Sequence, residues 1–324
     1  MADMIGGFFE WEVPDAGPLP WEEGSHCALL HSGRAALEVL LRGLRDSGWA
    51  GDTVLLPRWT CDTVLQPLHR LRLNSRRYRI SPDTLEPHLE DLEPSDALLL
   101  LTDYFGLCSD TVRRWAKLWP GPVVIDASMA LFADYGDCPS FSSFRKWAGV
   151  PDGGIAKAPF PLPLPSSEAR SAARMQCLLE RLENGAKAAL PFSEQAEAEL
   201  QGNARRMSPL TRRLLRSVRW EEMRRRRREN FAQLHEALAA LNRLHLTPSA
   251  DAVPFCYPLL CGIPGLRDEL IDAGIALPLF WPEVIEACPA EQAENYLSRS
   301  LLPLPLDQRY GPREMQHIIR LIRG

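Results

Sequence analysis

Short apolar runs alternate with amphipathic stretches in the first half of the chain. The apolar runs predict buried strands, which fall at residues 53–56, 76–80, 97–101 and 122–125. The amphipathic stretches predict helices, which fall at residues 35–44, 60–66 and 111–118. Ser32 is a candidate N-cap of the first helix, and Pro67 is expected to end the second. Strands that alternate with helices predict a parallel α/β sheet, which binds ligands at the carboxyl ends of its strands.

The pattern changes near residue 166, where long and charged helical sequence begins and continues to residue 244. The last section predicts a strand at residues 255–260 and helices at 266–273 and 313–322, which is typical of a smaller α+β unit. We therefore expect a large α/β domain over residues 1–240 and a small C-terminal α+β domain over residues 241–324, and about 25 N-terminal residues are candidates for packing on the small domain.

Composition and charge narrow the class of protein. The 324 residues include 37 Lys and Arg against 42 Asp and Glu, a formal net charge of −5, and 45% of the residues are hydrophobic. This balance is typical of a globular protein and argues against binding to nucleic acid or to a membrane surface. The N-terminus lacks the pattern of a signal peptide, and the apolar runs are too short to span a bilayer. We therefore expect a cytoplasmic protein.

The cysteines and histidines do not indicate a metal site. Eight cysteines are scattered without a CxxC pair, and seven histidines form no HExxH or HxH group. Structural zinc sites need ligands that are paired at short spacing. We expect no bound metal, and in a cytoplasmic chain the scattered cysteines favour free thiols over disulfides.

Three segments of the α/β half could carry chemistry near one edge of the sheet. Gly33 opens the first predicted helix, where free backbone N–H groups can bind an anion such as phosphate, although many helices begin with Ser-Gly. Asp126 follows an apolar strand, and a carboxylate buried there needs a cation or a hydrogen-bond donor; a helix cap or a surface loop is the simpler explanation for it alone. Tyr104 follows another strand, either near the same edge or in the core.

Lysine is scarce in this chain, which limits the candidates for amine chemistry. The four lysines are Lys117, Lys146, Lys157 and Lys187. Lys146 follows Ser143 by three residues, so that the amine could form a Schiff base while the hydroxyl reaches a nearby phosphate; the alternative is an exposed basic pair on a loop. Together with the three segments above, this order of residues fits pyridoxal phosphate, which needs a lysine, an anion at its pyridine nitrogen, a phosphate cradle and a flat contact for its ring.

The same residues, in this order along the chain, resemble a known family. The sequence resembles the DegT/StrS-type aminotransferases, which are fold type I pyridoxal phosphate enzymes and include sugar aminotransferases. The resemblance covers most of the chain, in segments at residues 5–9, 31–37, 56–61, 103–106, 125–128, 145–154, 228–231 and 304–310. The most specific segment is RKWAGVPDGG at residues 145–154, which indicates a separate branch of the family.

The resemblance implies a fold and an activity. The fold would be that of the fold type I transferases: a mostly parallel, seven-stranded-type sheet with flanking helices and a smaller C-terminal α+β domain. The protein would be a homodimer with its sites at the subunit interface. It would use pyridoxal 5'-phosphate to move an amino group from an amino donor to a ketone or aldehyde acceptor, such as a sugar or another biosynthetic intermediate.

The resemblance also assigns roles around the cofactor ring. Lys146 would form the internal aldimine and then carry the proton between the substrate α carbon and the cofactor. Asp126 would keep the pyridine nitrogen protonated, so that the ring acts as an electron sink. Ser128, two residues further on, would lie against one face of the ring.

The phosphate and the substrate have their own implied residues. Ser143 and the backbone groups of Gly33 and Arg34 would bind the cofactor phosphate. Independently of the resemblance, Arg309 is a candidate to receive a substrate carboxylate through two parallel hydrogen bonds, and a salt bridge with Asp307 or another acid is an equally good explanation of this arginine.

Two positions depart from the family pattern and leave alternatives open. Cys61 occupies the place of the usual stacking aromatic, which Trp59 or Tyr104 would then replace. Met129 stands where the family often has a glutamine that contacts the phenolic oxygen of the cofactor, and its thioether cannot donate that hydrogen bond. The alternatives are another pyridoxal phosphate reaction (elimination, decarboxylation or C–C bond formation) and a catalytically inactive relative that binds a partner protein.

A run of five arginines at residues 224–228 has a plainer explanation than nucleic-acid binding. Glu221, Glu222 and Glu229 flank the run, and the net charge of the chain is negative. We expect a solvated helix face with ion pairs, some of whose arginines can face a partner subunit.

Overall fold

The computed structural model describes residues 11–15, 17–21, 24–90, 92 and 97–324, so the segment at residues 5–9 lies outside the described residues. The strands, numbered β1 to β10, are Cys27–Leu30, Thr53–Pro57, Asn74–Ile80, Pro87–His88, Leu98–Thr102, Val123–Asp126, Ser140–Ser143, Gly154–Lys157, Tyr257–Leu259 and Leu302–Leu304. The helices, numbered α1 to α10, are Gly33–Asp46, Leu65–Arg70, Ser109–Leu118, Gln176–Ala198, Pro209–Arg216, Trp220–Leu238, Leu266–Asp272, Pro282–Ala287, Ala293–Ser300 and Pro312–Arg323.

The large sheet has eight strands in the order β1-β8-β7-β6-β5-β2-β3-β4. The strands from β7 to β3 in this order run parallel to one another, whereas β8 is antiparallel to both β7 and β1. The eighth strand, β4, has two residues and pairs antiparallel with β3 at the far edge. The prediction of a mostly parallel, seven-stranded-type sheet with flanking helices is confirmed, with β4 as a short addition.

Two hydrophobic cores cover the two faces of the sheet, because alternate residues of each strand point to opposite sides. In β5, Leu98 and Leu100 belong to the core that also contains α1, whereas Leu99 and Leu101 belong to the opposite core with Trp59. All five residues of β5 are buried. A strand that is buried on both faces is continuously apolar, which is why residues 97–101 could be identified from the sequence.

In the N-terminal half the structure corrects one predicted helix and, besides the short β4, adds three strands of four residues each. Residues 60–66 form no helix that Pro67 ends; instead a 3-10 turn at Asp62–Val64 leads into α2, and Pro67 lies within the first turn of α2. The N–H groups of a first helical turn have no partner within the helix, so proline costs little there. The strands β1, β7 and β8 were not predicted, because their four residues each are too short or too polar to show a pattern.

The C-terminal section packs around the antiparallel pair β9 and β10. Leu234 of α6, Leu270 of α7 and Met315 of α10 are fully buried in the same core as Tyr257 and Leu304. The predicted strand at residues 255–260 contains β9, and the predicted helices at 266–273 and 313–322 match α7 and α10. The division of the chain near residue 240 stays a prediction.

Helix α4 is packed more lightly than the others. Within it only Ala189 and Ala196 are buried, whereas Leu182 and Leu190 are 82% and 59% exposed. Its backbone is interrupted at Gly185, which has a φ of +84°. Among the residues that the structure describes, neither α4 nor any other helix combines the length and the apolar character needed to cross a membrane.

Candidate active site

A cavity of about 480 Å³ opens where β6 and β7 end and α1 begins, and we call it the central cavity. It brings together most of the residues that the sequence singled out. Its lining includes Gly33, Arg34, Cys61, Asp126, Ser128, Met129, Ser143, Arg145, Lys146, Glu197, Phe280 and Trp281. The position agrees with the rule that parallel sheets bind ligands at the carboxyl ends of their strands.

The N-terminus of α1 forms one wall of the central cavity. The Ser32 hydroxyl caps the helix by accepting a hydrogen bond from the Ala35 N–H at 3.1 Å. Gly33 leaves room beside the neighbouring strand, because a Cβ there would lie 3.4 Å from the Cβ of Ser143. The N–H groups of Gly33 and Arg34 belong to the first turn of the helix and have no partner within it. This turn can therefore bind an anion between its backbone and Ser143.

The segment at residues 145–154 packs against this turn. Gly154 contacts the turn so closely that a Cβ there would lie 2.2 Å from the Ser32 carbonyl oxygen. Gly153 has a φ of +124°, and its N–H donates to the His31 carbonyl at 2.8 Å. The fully buried Asp152 accepts hydrogen bonds from Arg174 at 3.2 Å and from Ser208 at 3.3 Å. The conformation of the turn thus depends on the PDGG residues.

Asp126 is the last residue of β6 and is only 9% exposed. One oxygen of its carboxylate accepts a hydrogen bond from the Ser128 N–H at 2.9 Å. None of the described residues places a cation within ion-pair distance of it. Met129 also lines the cavity, and its thioether offers no hydrogen-bond donor. Asp126 is therefore a buried carboxylate that lines the cavity and has no counter-ion within the part of the chain that the structure describes.

Lys146 ends a 3-10 turn, Phe144–Lys146, that follows directly after β7. It is exposed in the single chain, and it makes neither a hydrogen bond nor an ion pair with any described residue. It lines the central cavity and two neighbouring ones, of about 480 and 610 Å³, which we call the second and third cavities. The other lysines line none of these three cavities, and Lys157 instead lies over the Trp21 ring at 5.9 Å.

Two arginines meet a single carboxylate beside the α1 turn, a feature that the sequence did not indicate. Glu197 of α4 accepts from Arg34 at 2.6 Å and from Arg145 at 2.5 Å, one oxygen to each guanidinium. Partial burial raises the pKa of Glu197, but the two arginines outweigh it and hold the pKa below its usual value. Arg34 also donates to the Gln66 side chain at 3.2 Å.

The aromatic wall of the cavity differs from the expectation. Tyr104 and Trp59 do not line the central cavity: both are buried, and the Tyr104 hydroxyl donates to the Trp59 carbonyl at 2.7 Å. The aromatic residues that line it are Phe141, Phe255, Phe280 and Trp281. Trp281 packs edge-on against Trp59 with centroids 4.8 Å apart. Trp281 has a φ of +55°, which is uncommon for a bulky residue. The only feature of the sequence that could have indicated this part of the cavity wall was the adjacent pair of aromatic residues, Phe280 and Trp281.

The Cys61 thiol lines the central cavity but offers no ring for stacking. Its Sγ lies 3.1 Å from the Thr63 hydroxyl, and Cys61 precedes the 3-10 turn at Asp62–Val64. The Asp62 N–H donates a hydrogen bond to the Glu283 side chain at 3.0 Å, which connects this loop to the segment that contains Trp281. The departure from the family pattern at Cys61 is thus accompanied by an aromatic residue from another part of the chain.

Arg309 lines the second and third cavities, where Asp307 binds it through two hydrogen bonds of 2.7 and 2.9 Å. This salt bridge is the alternative that the sequence left open. Burial raises the pKa of Asp307, and the Arg309 guanidinium outweighs it and lowers the pKa below its usual value. The charge of Arg309 is therefore already paired with a carboxylate of the same chain.

Arg227 also lines the second and third cavities, together with Arg309. The sequence alone did not distinguish it from the other arginines of the run at residues 224–228. Its neighbours Arg224, Arg225 and Arg226 form ion pairs with glutamates of the same helix, as expected. Arg227 is instead buried: it stacks over the Trp147 ring at 4.5 Å and donates to the Phe255 carbonyl at 2.9 Å.

The guanidinium of Arg227 also donates to the Gln308 side chain at 3.1 Å, and no carboxylate of the described residues pairs with it. Burial lowers the pKa of Arg227 to about 10. Because Arg227 lines the second and third cavities together with Lys146, it provides positive charge close to the lysine. The described residues contain no group of His, Cys, Asp or Glu side chains that could hold a metal ion.

Comparison with known proteins supports the fold. No protein-family model and no curated protein matches the sequence. The structure is similar to that of DesV from S. venezuelae, at a TM-score of 0.67 and 20% identity, over 93% of this chain and 85% of that chain. It is also similar to the sugar aminotransferase CalS13 from Micromonospora echinospora, at a TM-score of 0.62 and 19% identity, over 92% and 86% of the two chains.

A third similar structure is a DegT DnrJ EryC1 StrS aminotransferase from Brucella abortus, at a TM-score of 0.64 and 17% identity, over 92% of this chain and 85% of that chain. At these identities the similarity establishes the architecture. The chain has the fold of the DegT/StrS-type aminotransferases, as the sequence predicted, and its chemistry has to be argued from the residues in the cavities.

Proposed function

We propose that this protein is a pyridoxal phosphate-dependent aminotransferase that moves an amino group from an amino donor to a ketone or aldehyde acceptor. The observation that carries the proposal is the carboxylate of Asp126, which is buried, faces the central cavity and has no counter-ion among the described residues. A buried carboxylate is costly without a cation. The protonated pyridine nitrogen of the cofactor would be that cation, and Lys146 lines the same cavity.

The other polar groups of the central cavity fit the remaining parts of the cofactor. The free N–H groups of Gly33 and Arg34 and the hydroxyl of Ser143 match a phosphate monoester. Ser128 and Trp281 both line the cavity, and we expect them to contact the two faces of the cofactor ring. When it is bound, the cofactor supplies an electron-withdrawing ring that stabilises negative charge on the substrate carbon.

Lys146 is the group that moves protons in this proposal. Its amine has no partner among the described residues, so it would be free to carry a proton between the amine-bearing carbon of the donor and the cofactor. Arg227, which lines the second cavity together with Lys146, would provide a positive charge for the carboxylate of an amino acid donor.

The acceptor and the assembly belong to the same proposal. A sugar or a similar carbonyl compound is suggested by the structural likeness to a sugar aminotransferase. A homodimer would cover the exposed Lys146 and the apolar residues Leu182 and Leu190 of α4, and would thus exclude water from the cavity. The eight free cysteines favour a reducing compartment such as the cytoplasm.

The experiment is the absorption spectrum of the purified protein with added pyridoxal phosphate, compared with Lys146→Ala. We expect a visible band that needs Lys146 and that an amino donor bleaches, with recovery when a carbonyl acceptor is added. Lys157→Ala is the matched control, because Lys157 lines none of the three cavities and should leave the band unchanged. No band in the wild-type protein, or a band that survives Lys146→Ala, would contradict the proposal.

One observation favours the alternatives that the sequence left open. Met129 lines the cavity without the hydrogen-bond donor that the family often has there. A band that donors fail to bleach while products accumulate would indicate elimination, decarboxylation or C–C bond formation. The absence of any band would favour an inactive relative that binds a partner protein.

A further inference from the structure

Glu197 bridges two arginines at the place where the proposed function requires a phosphate. Its two oxygens bind Arg34 at 2.6 Å and Arg145 at 2.5 Å, and all three side chains line the central cavity beside Gly33 and Ser143. A phosphate monoester presents several oxygens to arginines in the same way, with a charge near −2 instead of −1. The carboxylate thus holds two guanidiniums whose combined charge it only half neutralises.

The three partners are not equally fixed. The side chain of Arg34 is 9% exposed and that of Arg145 is 25% exposed, whereas that of Glu197 is 47% exposed. Arg34 keeps a second hydrogen bond, to Gln66, that does not depend on Glu197. Glu197 lies at the end of the lightly packed helix α4, next to Ala196, one of its two buried residues. The carboxylate is therefore the member that can move into solvent at least cost.

We propose that Arg34 and Arg145 bind the phosphate group of the ligand through their side chains, and that Glu197 occupies the two guanidiniums until this phosphate displaces it. The proposal rests on the proposed function for the identity of the ligand, pyridoxal phosphate. Two guanidiniums match a dianion in charge, and arginine forms paired hydrogen bonds to phosphate oxygens. The backbone of the α1 turn and Ser143 would then share the phosphate with two arginine side chains.

The exchange makes binding selective for ligands that carry a phosphate. A neutral pyridoxal without phosphate has nothing to offer the guanidiniums and leaves Glu197 in place. Inorganic phosphate has the required charge, so it should bind at the same place and compete with the cofactor. The measured affinity for phosphate then reflects the arginine–phosphate interaction minus the arginine–Glu197 interaction that it replaces. Removing the carboxylate should therefore strengthen phosphate binding.

The test is to measure the binding of inorganic phosphate and of pyridoxal phosphate by calorimetry to the full-length protein and its variants. We expect Glu197→Gln to bind phosphate about fivefold more tightly, because the half-exposed carboxylate no longer competes for the two guanidiniums. We expect Arg34→Met and Arg145→Met each to weaken binding about tenfold or more, because each removes a charge-assisted hydrogen bond. Pyridoxal without phosphate should bind all variants about equally.

Glu194→Gln is the matched control, since Glu194 lies one turn before Glu197 on α4, is exposed and bonds to none of the described residues. Arg34→Lys keeps the charge and serves if Arg34→Met fails to fold. Unchanged or weaker phosphate binding by Glu197→Gln would overturn the proposal and leave Glu197 as a structural partner. This outcome is independent of the Lys146-dependent band, because phosphate binding is measured without the lysine chemistry.

Discussion

The Cα of Gly154 lies directly against the carbonyl of Ser32, so closely that a Cβ on residue 154 would stand 2.2 Å from the carbonyl oxygen. We expect Gly154→Ala to push the α1 turn out of place, to lower the free energy of unfolding by about 1–3 kcal/mol and to weaken the binding of pyridoxal phosphate. Urea denaturation and a cofactor titration measure the two effects. Gly149→Ala is the control, since a Cβ there meets nothing within 4 Å; equal behaviour of the two variants would contradict this prediction.

Asp126 should show opposite effects on stability and on activity. Replacing it by asparagine removes a buried carboxylate for which the described residues supply no counter-ion, so the cofactor-free protein should melt at a higher temperature. The same change removes the partner of the pyridine nitrogen, and we expect amino transfer to fall by about 100-fold or more. Thermal unfolding without cofactor and single-turnover kinetics with it test the pair. Full activity in Asp126→Asn would refute the assigned role.

The two cavity arginines should differ in their effect on an amino acid donor. Arg309 is already bound by Asp307, whereas Arg227 has no carboxylate partner among the described residues. We expect Arg227→Gln to raise KM for the donor about tenfold or more. Arg309→Gln should change KM much less, and Arg227→Lys should recover part of the loss. A larger effect at Arg309 would return the substrate role to that residue.

Trp281 should contribute to binding of the cofactor ring. We expect Trp281→Ala to weaken pyridoxal phosphate binding about tenfold, and Trp281→Phe to retain most of the affinity because a flat ring remains. A fluorescence titration measures both variants. Trp11→Ala is the control, since Trp11 is 58% exposed and lines none of the three cavities. Unaltered affinity in Trp281→Ala would show that another side chain covers the ring.

His31 precedes the α1 turn and is hydrogen-bonded to the backbone of Arg205. From its environment we predict a pH dependence of stability. Burial lowers the pKa of His31 below its usual 6.5. Its contribution to stability is therefore present above pH 6.5, and it is lost as the pH falls below that value, because the unfolded chain binds the proton first. We expect the free energy of unfolding to fall more steeply between about pH 7.5 and about pH 5.5 in the wild type than in His31→Gln. Parallel pH profiles from urea denaturation would contradict this.

The fold could be predicted where one physical signal dominated. The β5 run is apolar on both faces, and Ser32 caps a strongly amphipathic α1, so both were identified. The polar strand Ser140–Ser143 could not be identified from the sequence, because it is a strand through its pairing with β6 and β8 and not through its own composition. The helix limit at Pro67 was wrong, because the same residue is tolerated in a first turn and excluded from an interior.

The candidate site was predictable to the extent that its residues follow the order of the resemblance. Asp126, Ser143 and Lys146 line one cavity, and their roles stay predictions. Trp281 and Glu197 could not be predicted, because they are 135 and 51 residues from Lys146 in sequence and no local pattern records which long-range segments meet. Arg227 was hidden among four neighbouring arginines, and only its depth in the fold distinguishes it.

The cavity wall formed by Phe280 and Trp281 comes late in the chain, after the residues that we expect to bind the phosphate, the pyridine nitrogen and the aldehyde of the cofactor. A chain still on the ribosome that has emerged as far as β8 has those anchoring residues but lacks that wall. A ligand stabilises a folded state in proportion to its affinity for that state, so the cofactor should stabilise this nascent half less than the complete chain. We expect protein that is made without the cofactor to fold and to bind the cofactor afterwards, rather than to misfold.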